Sequence, residues 1–145
     1  MNKIKLMSHL VAGYPTDELA LTAACKENGM INIPVAAPSM SPERLDKLAH
    51  AGFPYIYAAL RVGIIGTDTK IDQPTLDFLS KVSAGGSKVY GGFGISSGEQ
   101  SAALGNSVDA VVAGSVFVRI ITKNKDSKEK LYEAVKAKAK EITHS

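Results

Sequence analysis

Three short glycine-bearing stretches are the parts of this sequence best suited to chemistry. Gly92-Phe93-Gly94 leads through Ile95-Ser96-Ser97 into a helical pattern. Gly114-Ser115 enters a second helical turn, and Gly66 lies in a long loop. Glycine lets backbone N–H groups approach an anion closely, and a helix N-terminus adds partial positive charge. Such turns can cradle a phosphate, or they can do no more than shape tight strand-to-helix connections. Either stretch alone reads as a turn; the two together favour phosphate.

Other reactive residue types are sparse. His9 sits on a strand pattern, where a histidine is either a general base or a packed, hydrogen-bonded side chain. His50 ends a helix, where a cation suits the dipole, and His144 lies near the C-terminal end. The three are scattered, so no metal site is expected. The single Cys25 excludes an intrachain disulfide and has no matched histidine, which argues against a nucleophile. Tyr57 is as readily a core residue as a ligand contact. Asp68 and Asp72 are loop acids of the kind that are usually solvated.

The elements that must position these residues alternate along the chain. Strands are expected at Ile4 to Ala12, Ile31 to Ala37, Pro54 to Leu60, Lys88 to Gly91 and Ala110 to Ala113. Helices are expected from Thr16 to about Asn28-Gly29, and from Ser41-Pro42-Glu43-Arg44 to Gly52. Further helices are expected from Pro74 to Val82, from Ser97 to about Leu104, and from Asp126 or Ser127 to about Ile142. A short helical turn follows Gly114-Ser115. Strands alternating with helices at this spacing imply right-handed βαβ units and a parallel sheet. In such folds ligands bind at the C-terminal ends of strands, and the last two strands here both end in glycine.

Composition is that of one ordinary globular domain over residues 1–145, with no linker or low-complexity segment. Hydrophobic residues make up 45% and the formal net charge is only +3, which excludes wholesale disorder. No run approaches the roughly 18 apolar residues of a membrane helix. With one cysteine and no secretory signal, a cytoplasmic location is the default. The lysines from Lys123 to Lys140 are interleaved with acids and apolar residues. They read as a solvated helix face rather than a nucleic-acid surface.

The strand ends also carry a family resemblance. Leu10-Val11-Ala12-Gly13-Tyr14-Pro15 resembles the first strand and turn of the tryptophan synthase alpha chain. Pro34-Val35-Ala36-Ala37-Pro38-Ser39 with Ser41-Pro42-Glu43-Arg44 resembles its fifth strand and following helix. Tyr55-Ile56-Tyr57 and Arg61-Val62-Gly63-Ile64-Ile65-Gly66 resemble its sixth strand and mobile loop. Gly92-Phe93-Gly94-Ile95-Ser96, with Glu99-Gln100 after it, resembles its seventh strand end. Val111 to Val118 resembles its eighth. The resemblance implies a TIM-type (βα)8 barrel and the retro-aldol cleavage of indole-3-glycerol phosphate to indole and glyceraldehyde 3-phosphate. It maps substrate and phosphate contacts onto Tyr57, Gly66, Gly92, Phe93, Gly94, Gly114 and Ser115. No cofactor is implied. His9 falls where the family usually has an apolar aromatic residue, and Ile65 where it usually has a loop threonine.

The departure from the family is an absence. Such barrels typically need about 250 residues, and strands two, three and four of the family have no counterpart here. That block carries the family's catalytic Glu and Asp, so the resemblance implies an impaired or inactive lyase. Asp68 and Asp72 are the only nearby substitutes. The fold implied is an incomplete barrel of about five parallel βα units, in the family order five-six-seven-eight-one.

One face of that sheet would be open, exposing Tyr55, Tyr57, Ala59, Val89, Val111 and Ala113 or their neighbours. Open edges and an apolar layer favour association, so a homo-oligomer is expected. A complex with the family's beta chain is doubtful, because the loops that would face it have no match. Two alternatives stay open: a non-catalytic, self-associating half-barrel, and a different phosphosugar-binding barrel.

Overall fold

Local sequence signals set most element ends. Ser41 accepts from the Arg44 amide and Pro42 opens the helix it caps, so α1 of the sheet layer runs Pro42–Ala49. Asp72 caps the next helix, α2, Gln73–Ser83, again with proline in the first turn. Ser97 and Gln100 form a reciprocal capping box at α3, Gly98–Leu104. A 3-10 turn over Gly105–Ser107 follows. The remaining helices are α4, Ser115–Asn124, and α5, Lys128–Thr143.

The structure, a computed structural model, describes residues 18–60 and 70–143. The expected first strand with His9, the Thr16 cap, the loop bearing Ile65, Gly66 and Asp68, and His144 lie outside the described residues. The chain divides into two compact units, Met1–Asn32 and Ile33–Ser145. In the first, a helix spans Glu18–Glu27 and bears Cys25. It ends as Asn28-Gly29 foretold: Gly29 has φ +66°, its amide donates to the Lys26 carbonyl, and the Met30 amide donates to the Cys25 carbonyl.

The second unit holds a parallel sheet of β1 (Val35–Ala36), β2 (Tyr55–Ala59), β3 (Lys88–Gly92) and β4 (Ala110–Val112). Strands neighbour one another in chain order, each pair parallel. Four of the five expected strands are therefore described, in the sequence expected for family strands five to eight. β1 is shorter than Ile31 to Ala37. Pro34 accepts from the Tyr57 amide but has no N–H to donate, so the ladder cannot extend backwards through it.

Register decides which face is buried. Ile56 pairs with Val89 and Ala58 with Gly91, and these residues meet Leu45, Leu48, Phe78, Leu79, Val82 and Leu104 in the core. Val111 and Ala113 pack against the same cluster. The opposite face carries Val35, Tyr55, Tyr57, Ala59, Lys88, Tyr90, Gly92, Ala110 and Val112. This corrects the expected open face. Tyr55, Tyr57 and Ala59 belong to it, but Val89, Val111 and Ala113 lie on the helix side. Tyr57 pairs with Tyr90, not Val89, and a one-residue offset inverts every side chain of a strand.

Three further bonds lock the sheet at its N-terminal end. The Asp109 carboxylate accepts from the Val89 amide at 2.7 Å, while the Asp109 amide donates to the Val89 carbonyl at 2.8 Å. Buried Ser87 donates to the Phe53 carbonyl at 2.7 Å. The segment after Gly114-Ser115 is a ten-residue helix rather than a short turn. Its β-branched residues weaken helix propensity locally, and packing of this helix along α5 overrides that preference.

Candidate functional site

At the C-terminal end of the sheet, β3 and β4 are in register, with Gly92 opposite Val112. Both glycine-bearing turns thus leave neighbouring strands at one end. Gly92 is the last residue of β3, and its carbonyl accepts from the Leu60 amide at 2.8 Å. The chain then turns through Phe93 at φ +78° and Gly94 at φ +89°. Phe93 is the non-glycine residue with positive φ among the described residues. A left-handed conformation costs an L-residue roughly 1–2 kcal/mol, so its neighbours must hold it.

Tyr57 lies over this turn. A Cβ on Gly92 would run into the Tyr57 hydroxyl, with Tyr57 Cζ at 2.9 Å and Val112 Cβ at 3.0 Å. The Tyr57 ring also meets the half-exposed Phe93 edge-on, with centroids 6.3 Å apart. Glycine at 92 is therefore what admits the tyrosine. Burial raises the Tyr57 pKa above the ordinary phenol value. The hydroxyl stays protonated at neutral pH and can donate a hydrogen bond.

The two helix N-termini at this end differ. That of α3 is already occupied. Gln100 Oε1 accepts from the Ser96 and Ser97 amides at 2.7 and 3.1 Å, and Ser97 Oγ accepts from the Gln100 amide. The Gly98 amide donates to Glu141 of α5 at 3.1 Å. By contrast, α4 begins at Gly114 with no side-chain cap. The Phe117 and Val118 amides donate to the Gly114 carbonyl, and the Ser115 and Val116 amides precede the first intrahelical bond. A Cβ on Gly114 would meet nothing within 4 Å. Two helix-start amides and an open approach are what an anion requires.

Of the expected site residues, the structure brings Tyr57, Gly92, Phe93 and Gly94 into one cluster. Gly114 and Ser115 stand at the end of the adjoining strand, and Gly66 lies outside the described residues. Asp72, the possible substitute acid, is the N-cap of α2. It accepts from Thr75 Oγ1 at 2.8 Å and the Thr75 amide at 3.1 Å, which hold its carboxyl below the usual range. His50 caps α1, with Nδ1 2.9 Å from the Asp46 carbonyl oxygen. Among the described residues no cluster of metal-ligating side chains occurs, and no helix is long and apolar enough to cross a membrane.

Sequence reasoning missed Lys138, which it placed among the lysines of a solvated helix face, and gave Glu141 no role. Lys138 Nζ donates to the Ser96 carbonyl at 3.2 Å and pairs with Glu141 Oε2 at 2.6 Å. Nothing in the lysine-rich pattern distinguishes Lys138, because its partner carbonyl is 42 residues away.

A parallel α/β arc with its candidate ligand-binding turns at the strands' C-terminal ends is part of a (βα)8 barrel. The family model of the tryptophan synthase alpha chain matches residues 1–145, and the chain belongs to that family. It is 36% identical over 135 residues to the tryptophan synthase alpha chain of Methanosarcina barkeri, covering 92% of this chain and 49% of that protein. The alpha chain of Streptomyces avermitilis is 32% identical, covering 92% and 48%. Among solved structures, the tryptophan synthase α2β2 complex of Pyrococcus furiosus matches with TM-score 0.70 and 26% identity, covering 87% of this chain and 50% of that one. The same organism's isolated A-subunit matches with TM-score 0.72 and 26% identity, covering 93% and 54%. The chain thus spans about half the length of the relatives it matches.

Proposed function

We propose that this protein is an alpha-chain-type binder of a phosphorylated substrate, indole-3-glycerol phosphate or glyceraldehyde 3-phosphate, with the family's lyase chemistry lost or strongly impaired. The observation that carries the reading is the rim itself. A left-handed Phe93-Gly94 turn and an uncapped Gly114-Ser115 helix start leave adjacent parallel strands at one end. Membership of the alpha-chain family supports the choice of ligand. In this reading Ser115 and Val116 supply the amide donors, Gly92 to Gly94 and Gly66 line the approach, and Tyr57 closes one side.

The reaction would need a proton delivered to an indole carbon and protons removed from the indole nitrogen and a glycerol hydroxyl. Positioned acids and bases each supply roughly 10²–10⁴-fold. Asp72 and Glu141, at the sheet's C-terminal end, are already engaged as hydrogen-bond acceptors, and both are held ionised. That supports, for the described residues, the reading that these two carboxylates do not replace the family's proton-transfer groups. Residues 1–145 on this reading form one truncated barrel.

The exposed sheet face favours a second element of the reading, self-association. Val35 and Val112 of this face are exposed, as is Phe93 just beyond β3; the Tyr55 and Tyr90 rings meet at a tilt, 5.3 Å apart, and Lys88 at the edge is the charged residue of the face. A sheet face this apolar is covered in a stable fold, and a homo-oligomer would cover it. A beta chain is a further candidate partner, contrary to the doubt raised from sequence, because the P. furiosus relative is solved as an α2β2 complex.

The test is thermal unfolding with and without glycerol 3-phosphate, alongside an indole-release assay with indole-3-glycerol phosphate. A raised midpoint without turnover is the expected result. No shift with millimolar phosphate ester defeats the binding reading, and turnover defeats the loss of chemistry. Sedimentation showing a compact monomer at micromolar concentration defeats self-association.

A further inference from the structure

The Lys138–Glu141 pair of α5 does something the other surface pair of that helix does not. Lys136 and Glu133 lie 3.9 Å apart, both well exposed, and touch only their own helix in that pairing. Such pairs contribute little. Lys138 is 23% exposed, approaches Glu141 at 2.6 Å, and spends a second donor on the Ser96 carbonyl of another element. Glu141 uses its other oxygen on the Gly98 amide. The two side chains together therefore grip both a carbonyl and an amide of the segment that leaves the Phe93-Gly94 turn.

From inside that segment, Gln100 closes the remaining bonds. It accepts from the Ser96 and Ser97 amides and donates to the Gly94 carbonyl at 3.3 Å. Strained backbone such as Phe93 at φ +78° persists only where its surroundings over-determine it. The turn is fixed on its strand side by the Leu60 amide on the Gly92 carbonyl. On its helix side the fixing comes from Gln100 and from the α5 pair. Loss of the pair removes the grip that α5 has on the helix side of the turn.

We infer that Lys138 and Glu141 are positioning residues for the Gly92–Gly94 turn, holding it in the left-handed shape an anion would meet. This rests on the phosphate-binding reading only for its ligand arm; the shape of the turn is testable without ligand. The experiment compares wild type with Lys138→Met, Lys138→Arg, Glu141→Met and, as a control of equal charge change, Lys136→Met. Amide hydrogen exchange at Gly94 to Gly98 is the first readout, and affinity for glycerol 3-phosphate by calorimetry is the second.

Lys138→Met and Glu141→Met are expected to speed exchange of these amides about tenfold or more, while exchange in β2 stays unchanged. Lys138→Arg restores protection, because a guanidinium still reaches both acceptors, and Lys136→Met changes nothing. Affinity falls about tenfold in the same two variants. Unchanged exchange across Gly94 to Gly98 overturns the inference, as does an equal loss of protection throughout the fold, which marks a purely global effect. If wild type binds no glycerol 3-phosphate, the ligand reading fails, and exchange alone decides the positioning role.

Discussion

Replacing Gly92 by alanine asks a sharp question of the rim. A methyl group at this position would meet the Tyr57 hydroxyl, Tyr57 Cζ at 2.9 Å and Val112 Cβ at 3.0 Å. The first two belong to a side chain that can swing; the third sits on the paired strand and can yield only a few tenths of an ångström. Overpacking of this kind typically costs 1–3 kcal/mol. Loss of glycine's freedom in the unfolded chain offsets roughly 0.4–1 kcal/mol of that. The expected net loss for Gly92→Ala is about 1–2 kcal/mol.

Most of that loss should vanish in a Tyr57→Ala background, which removes the two nearest contacts and leaves Val112 Cβ at 3.0 Å. A double-mutant cycle by urea denaturation, with the slope checked for constancy, reads the coupling directly. A coupling energy of about 1 kcal/mol or more is expected between these touching residues. If Gly92→Ala costs the same in both backgrounds, the tyrosine does not lie over Gly92 and the geometry of the rim is wrong.

Other consequences follow from single contacts. Gly85→Ala drives a Cβ into the Ala49 carbonyl, a backbone group that cannot rotate away, and should cost about 2 kcal/mol or more in chemical denaturation. Asp109→Ala leaves the Val89 amide without its 2.7 Å acceptor, and a loss of about 1–3 kcal/mol is expected, largely restored by Asp109→Asn. Asp72→Ala should lower the thermal midpoint at neutral pH. Because the folded pKa of Asp72 lies below its unfolded value, its contribution is present above about pH 4 and fades as pH falls through the folded pKa. Midpoints of wild type and Asp72→Ala measured from pH 7 to pH 2 should therefore converge at the acid end.

The sequence was most legible where one residue dictates one local geometry. Ser41 with Pro42, Ser97 with Gln100, and Asn28 with Gly29 each announce a helix end, and each is found there. The parallel order was legible because strands and helices alternate. Register was not: β3 is only five residues long, with Val89 and Gly91 on one face and Lys88, Tyr90 and Gly92 on the other, too short a run for periodicity to tell whether Val89 or Tyr90 faces the helices. Pairing with β2 decides it. The helix after Ser115 was read as a turn because Val116, Val118, Ile120 and Ile121 weaken helix propensity, and contacts with α5 lie outside any local window. The same holds for Lys138, whose partner is fixed only when α5 folds back across α3.

Binding and turnover separate cleanly at such a rim. A phosphate held by the Ser115 and Val116 amides would be held equally before and during cleavage of a bond several atoms away. Uniform binding raises affinity and leaves the chemical step where it was. The Tyr57 hydroxyl, kept protonated by burial, can donate a hydrogen bond but is a poor acceptor of protons at neutral pH. Asp72 and Glu141 are already engaged as acceptors and ionised, so neither can deliver one. On the proposed reading, cleavage would therefore take a carboxyl with a raised pKa on the open face of the sheet, beside Tyr57. A second chain covering that face is the simplest place for such a group to come from.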